Sequence, residues 1–96
     1  CARMAAERGL YCVPHAWKTG LTVAATRHFG AAVANCPYTE LFHQDLFPSF
    51  LRSQLARPEI PLRDGLWALP SEPGIGVEMD EEIVRQCLVK PPTIIE

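Results

Sequence analysis

The chain is 96 residues long, 48% hydrophobic and 21% charged, and nine Lys and Arg against eleven Asp and Glu give a formal net charge of -2. That length fits one small domain or a piece of a larger one, and the composition is that of an ordinary globular protein. The charge balance offers no electrostatic footprint for nucleic acid or anionic lipid, and no stretch reaches the ~20 apolar residues of a membrane span, so neither is expected as a partner. The four cysteines, Cys1, Cys12, Cys36 and Cys87, show no C-x-x-C pairing. They read as small buried thiols of a cytoplasmic protein, not as a disulfide framework or a zinc ribbon.

In chain order, "CARMAAERG" reads as the back half of a helix closing at Gly9. A domain rarely opens in mid-helix, which suggests a larger whole. Leu10 to Val13 is a continuous apolar run that suits a strand buried on both faces, with Pro14 ending its pairing. From Thr19, a possible N-cap, to Asn35 the spacing of Leu21, Ala25, His28, Phe29 and Ala32 predicts a helix, and its many small residues would let it approach a sheet closely. Tyr38 to Leu41 is a second short strand. Strand, helix, strand is the rhythm of a parallel α/β fold with a right-handed crossover.

The remainder changes character. A helical piece is expected around Ser49 to Ala56, and five prolines between Pro48 and Pro73 then break the chain into short segments. Asp64-Gly65, between apolar flanks from Ile60 to Leu69, predicts a small hairpin. Asp80 is placed to cap a last helix that carries Glu81 and Glu82 in its first turn. Gly74 and Gly76 form G-x-G alone, outside any strand-to-helix step, and read as a tight turn and not a phosphate loop.

Three stretches in this order, "VPHAWKTG", "NCPYTELF" and "DGLWALPSEPGIGVEMDEE", resemble the C-terminal part of the mandelate racemase and muconate lactonizing enzyme family, within the enolase superfamily. The resemblance runs from about Ala2 to Val89. It implies an α/β fold, the last two strands of a modified (β/α) TIM-type barrel, followed by a tail that returns to a capping domain absent from this chain. A complete barrel of this type needs ~250 residues. On that mapping residues 1–57 are the end of the barrel domain, with Leu10 to Val13 the seventh strand and Tyr38 to Leu41 the eighth, and residues 58–96 are the tail. Trp67, in the tail, reads as a packing residue.

Taken from the residues alone, His15 is either a hydrogen-bonded structural histidine at a strand end or a reagent. The resemblance implies the second: family members carry at the end of the seventh strand a histidine that moves a proton at the carbon next to a carboxylate. Imidazole suits this because it gains and loses a proton near neutral pH. Glu40 lies 25 positions on, enough for a loop, a helix and a strand, and the resemblance implies a protonated acid that hydrogen-bonds the substrate carboxylate as charge collects there. An ordinary salt-bridged carboxylate is the other reading. Trp17 and Lys18 are expected over the mouth of the site, in contact with the distal end of a substrate or simply packed and solvated.

Sites of this superfamily use a Lys or His base with magnesium on the enediolate. The magnesium ligands implied by the resemblance fall on earlier strands, so no residue of this chain is assigned to metal, and the chain alone is expected to be inactive. His28 and His43 have no ligand spacing to recommend them. The implied protein is a homo-oligomeric enzyme acting on a small carboxylate, with dehydration of a sugar acid the first expectation and racemisation, epimerisation or cycloisomerisation the others. A small non-catalytic α/β interaction module is the alternative class.

Overall fold

The computed structural model describes residues 1–43, 45–58, 60–91 and 93. Helix α1 (Ala2–Ala6) opens the chain. It closes as expected at Gly9, whose φ of 67° lies in the left-handed region that glycine adopts without strain. Leu10 N donates to Ala5 O at 2.9 Å and Gly9 N to Ala6 O at 3.0 Å, the paired bonds of a Schellman cap.

The first strand is displaced from its expected place. Leu10 to Val13 forms no strand here, and Leu10 and Tyr11 are 58% and 72% exposed. Strand β1 is His15–Ala16, beyond Pro14, and it pairs in parallel with β2 (Glu40–Leu41). Pro14 does not end the pairing. Proline lacks an N–H but keeps its carbonyl, and Pro14 O accepts from Glu40 N at 2.9 Å. Upstream of it a single bond, Cys12 N to Asn35 O at 2.9 Å, ties the extended segment to the end of the next helix. The second strand is likewise shorter than Tyr38 to Leu41.

Helix α2 (Gly20–Ala32) connects the two strands, and Thr19 caps it by accepting from Thr22 N at 3.4 Å. The buried face is Val23, Ala24 and Thr26; Ala25 and Ala32, expected on that face, are exposed. The reason is close approach. Ala24 and Ala16 are both at 0% exposure, so the helix meets β1 through its smallest side chains. At its N-terminus an ideal Cβ on Gly20 would lie 2.8 Å from Ala56 Cβ.

Helix α3 (Phe50–Gln54) is capped by Ser49, which accepts from Arg52 N at 3.4 Å. It stops short of Ala56 because Ala56–Arg57 is a strand, β3, paired antiparallel with β4 (Glu78–Met79). The chain between them returns over α2: Arg27 donates to Ala68 O and Ile75 O at 3.2 Å each, and His28 Nε2 lies 3.2 Å from Ile75 O. The hairpin at Asp64-Gly65 is reduced to its tip, one bridge between Arg63 and Leu66 with φ of 50° and 76° in the turn. Helix α4 (Glu81–Cys87) follows, with Asp80 Oδ1 accepting from Glu82 N at 3.0 Å and Ile83 N at 3.2 Å.

The core is small: Ala16, Val23, Ala24 and Ala56 are its buried apolar residues, and among the described residues no large side chain is fully buried. The radius of gyration is 15.4 Å, where a folded domain of this length has ~12.5 Å. Accessible surface is 7452 Å², against ~5,500 Å² for a folded monomer of 10.7 kDa. All four thiols are free, with Cys12 and Cys36 half-buried and Cys1 and Cys87 exposed, so the expectation of buried cysteines does not hold in this chain. No helix among the described residues is long and apolar enough to cross a membrane.

Candidate functional site

The β1–β2 register sets the geometry of the site. His15 is the direct partner of Glu40, and Ala16 of Leu41. Because side chains alternate along a strand, residues 16 and 41 share one face and residues 15 and 40 the other. Ala16 is buried beneath α2, which assigns the first face to the helix. His15 and Glu40 therefore project together from the face opposite the helix. Their Nε2 and Oε1 atoms are 4.0 Å apart, and the side chains are 56% and 54% exposed. That separation exceeds a hydrogen bond, so both polar atoms remain open to a third group.

One residue beyond each strand the alternation continues, and Trp17 and Phe42 join the same face. The His15 and Trp17 rings stack with centroids 4.4 Å apart, Trp17 stacks on Phe42 at 4.7 Å, and Phe42 on Phe47 at 4.1 Å. The result is a continuous ladder of four rings that starts at the imidazole. Sequence reasoning named His15, Glu40 and Trp17 but missed Phe42 and Phe47. Phe42 was legible as the residue two after Glu40; Phe47 was not, since it reaches the ladder through an irregular turn. Lys18 follows Trp17 on the turn into α2 and is exposed.

Several other titratable groups have structural partners. His43 Nδ1 accepts from Asp45 N at 3.3 Å and lies 3.7 Å from the Asp45 carboxylate. Glu81 and Glu82 pair with Arg85 at 2.9 and 3.0 Å. The backbone N–H groups it caps hold Asp80 below the usual carboxylate range, helped by Arg57 and opposed by partial burial. Partial burial lowers Arg27 from its ordinary value, while Glu72 opposes the shift. No group of three His, Cys, Asp or Glu side chains that could hold a metal ion occurs among the described residues. A cleft of about 220 Å³ between α2, α3 and the returning tail, lined in part by Arg52, Pro58 and Trp67, contains neither His15 nor Glu40. Half-buried Trp67 stands at its wall.

The chain is 27% identical over 96 residues to D-galactarolactone cycloisomerase of Agrobacterium fabrum strain C58, a match covering 95% of this chain and 25% of that protein. It also matches the crystal structure of a candidate racemase with a TM-score of 0.79 and 39% identity, covering 88% of this chain and 22% of the other. The chain thus spans about a quarter of the length of each relative. The family model described as enolase C-terminal domain-like matches residues 1–83. With that match over most of its length, and with a parallel strand–helix–strand unit of the same α/β kind, the chain belongs to the enolase C-terminal domain-like family, as a C-terminal segment of a mandelate racemase and muconate lactonizing enzyme-type member.

Proposed function

We propose that this chain is the closing segment of a barrel enzyme that removes the proton next to the carboxylate or lactone carbonyl of a sugar-acid substrate, passing through an enediolate. The observation that carries the reading is the register pair: His15 and Glu40 on adjacent parallel strands, on the face away from the covering helix, with their polar atoms 4.0 Å apart. In the proposed roles His15 takes the proton on one face of the substrate, and Glu40, as a neutral acid, donates a hydrogen bond to the oxygen on which charge collects. Residues 1–57 belong to the barrel and residues 58–96 to the tail over it. Magnesium, if bound, would stabilise the enediolate, held by residues outside this chain.

Dehydration of a sugar acid is the outcome placed first under the family resemblance. The names of the two relatives, a cycloisomerase and a candidate racemase, favour a second reading in which the proton leaves and returns with no loss of water. The test is deuterium exchange next to the carboxylate, with the full-length protein, magnesium and a panel of aldonic acids, aldaric acids and their lactones. His15→Asn is expected to lose exchange by ~10²–10⁴-fold. Wild-type exchange by that variant overturns the reading. Loss of water alongside exchange selects dehydration, and exchange with isomerised product selects the second reading.

A further inference from the structure

We infer that Cys12 and Cys36 are an oxidisable thiol pair, which a peroxide converts to a reversible disulfide between the segments leading into β1 and β2, on the side that α2 covers. The inference is independent of the roles proposed for His15 and Glu40. The backbone brings the two cysteines together. Cys12 N donates to Asn35 O at 2.9 Å, the carbonyl of the residue directly before Cys36, and Asn35 Nδ2 donates to Leu10 O at 3.1 Å, so the two segments are fastened at residues 10 and 12. Standard bond lengths and that 2.9 Å bond leave the Cα atoms of Cys12 and Cys36 no more than about 7 Å apart. Disulfides span ~4.4–6.8 Å between Cα atoms.

The side chains also share a face. Exposure alternates along the stretch into β1: Tyr11, Val13 and His15 are exposed, whereas Cys12 and Pro14 are half-buried and Ala16 is fully buried beneath α2. This period of two puts Cys12 on the side of Ala16, towards the helix. Cys36 is on that side as well, because an ideal Cβ on Gly30 of α2 would lie 3.6 Å from its Sγ. Its thiol donates to Tyr38 O at 3.5 Å, a weak bond that a change of rotamer releases. The stretch into β1, helix α2 and the turn after it, which together make this placement, all lie within the chain.

The step balances with hydrogen peroxide as the oxidant. One thiolate attacks a peroxide oxygen; an S–O bond forms, the O–O bond breaks, and the hydroxide that leaves is protonated to water. The second thiolate attacks the sulfenic sulfur; the S–S bond forms, the S–O bond breaks and a second water departs. In all, the two thiols lose two electrons and two protons, and the peroxide takes them up. A dithiol reductant reverses the link by exchange. In a reducing compartment such a bond is transient, which makes the pair a redox site and not a structural framework.

The test uses the full-length protein, treated with hydrogen peroxide, alkylated at its remaining thiols, digested with trypsin without reductant and read by mass spectrometry. Cleavage after Arg8, Lys18, Arg27 and Arg52 puts Cys12 and Cys36 on separate peptides, 9–18 and 28–52. The expected product is these two peptides joined and lighter by two hydrogens than their sum. Dithiothreitol added before alkylation should separate them and return both residues as alkylatable thiols. Unfolding in urea before the peroxide is added should scatter the linkage over the other cysteines, since the pairing depends on the fold. Three results overturn the inference: Cys12 and Cys36 staying alkylatable while exposed Cys1 and Cys87 oxidise, the two oxidising without joining, or the two joining as fully in the unfolded protein as in the folded one.

Discussion

His15 and Glu40 face each other as register partners of the parallel β1–β2 pair, with the imidazole Nε2 and a carboxylate oxygen 4.0 Å apart and α2 covering the opposite face. Groups held this way by backbone hydrogen bonds keep their spacing without contact between them. Glu40→Gln tests what the spacing is for. An amide still donates a hydrogen bond but cannot share a proton with a developing enediolate. In the full-length protein kcat for exchange should fall while KM changes little, by less than the ~10²–10³-fold that complete loss of an oxyanion donor costs. A change in KM alone marks Glu40 as a binding residue.

Gly20→Ala sets two effects against each other. Alanine favours the helix by ~1 kcal/mol. The added Cβ, however, would lie 2.8 Å from Ala56 Cβ and 3.2 Å from Arg52 O, where neither neighbour is the loose end of a flexible side chain. Overpacking of this kind costs ~1–3 kcal/mol, so the variant should be less stable in denaturant titration of the full-length protein. Adding Ala56→Gly should recover part of the loss.

Arg27→Met removes two of the bonds that fasten the returning tail to α2, those to Ala68 O and Ile75 O, and leaves the one between His28 Nε2 and Ile75 O. Methionine keeps much of the apolar stem but leaves the Ala68 carbonyl to find water. The expected result is faster cleavage between residues 68 and 77 in limited proteolysis, with the β1–β2 pair unaffected. Equal cleavage of variant and wild type would show that the tail is held by other contacts.

Asp80 gives α4 a pH dependence of known sign. Its carboxyl is held below the ordinary value chiefly by the Ile83 N–H, so its contribution is present at neutral pH and is lost as the pH falls through that depressed value. Protection of the Glu81–Cys87 amides, taken relative to intrinsic exchange at each pH, should therefore fall on acidification. Asp80→Ala should show low protection already at neutral pH and lose this dependence of protection on pH.

Expressed alone, the 96 residues should associate or stay partly molten. The buried apolar residues are three alanines and one valine, while Leu10, Tyr11, Leu46 and Leu66 are exposed. Such a core offsets little chain entropy, and the open apolar surface invites association. A monomer that unfolds cooperatively, with dispersed amide resonances, would contradict this.

Much of this was local and hence legible in the residues. Gly9, Thr19, Ser49 and Asp80 mark element ends because each acts on backbone groups a few positions away, and the His15-to-Glu40 spacing announced a strand–helix–strand unit. The three stretches that resemble the mandelate racemase and muconate lactonizing enzyme family identified it in advance of any geometry. Three other features depended on the tertiary structure. Apolar content alone put the first strand at Leu10 to Val13, whereas pairing begins beyond Pro14, because a strand is defined by the partner its backbone finds. The β3–β4 pair joins two-residue segments some twenty positions apart, too short to carry any periodicity. The ring ladder depends on Phe42 meeting Trp17 across the register and on a turn bringing Phe47 beneath it, contacts that no spacing within either segment encodes.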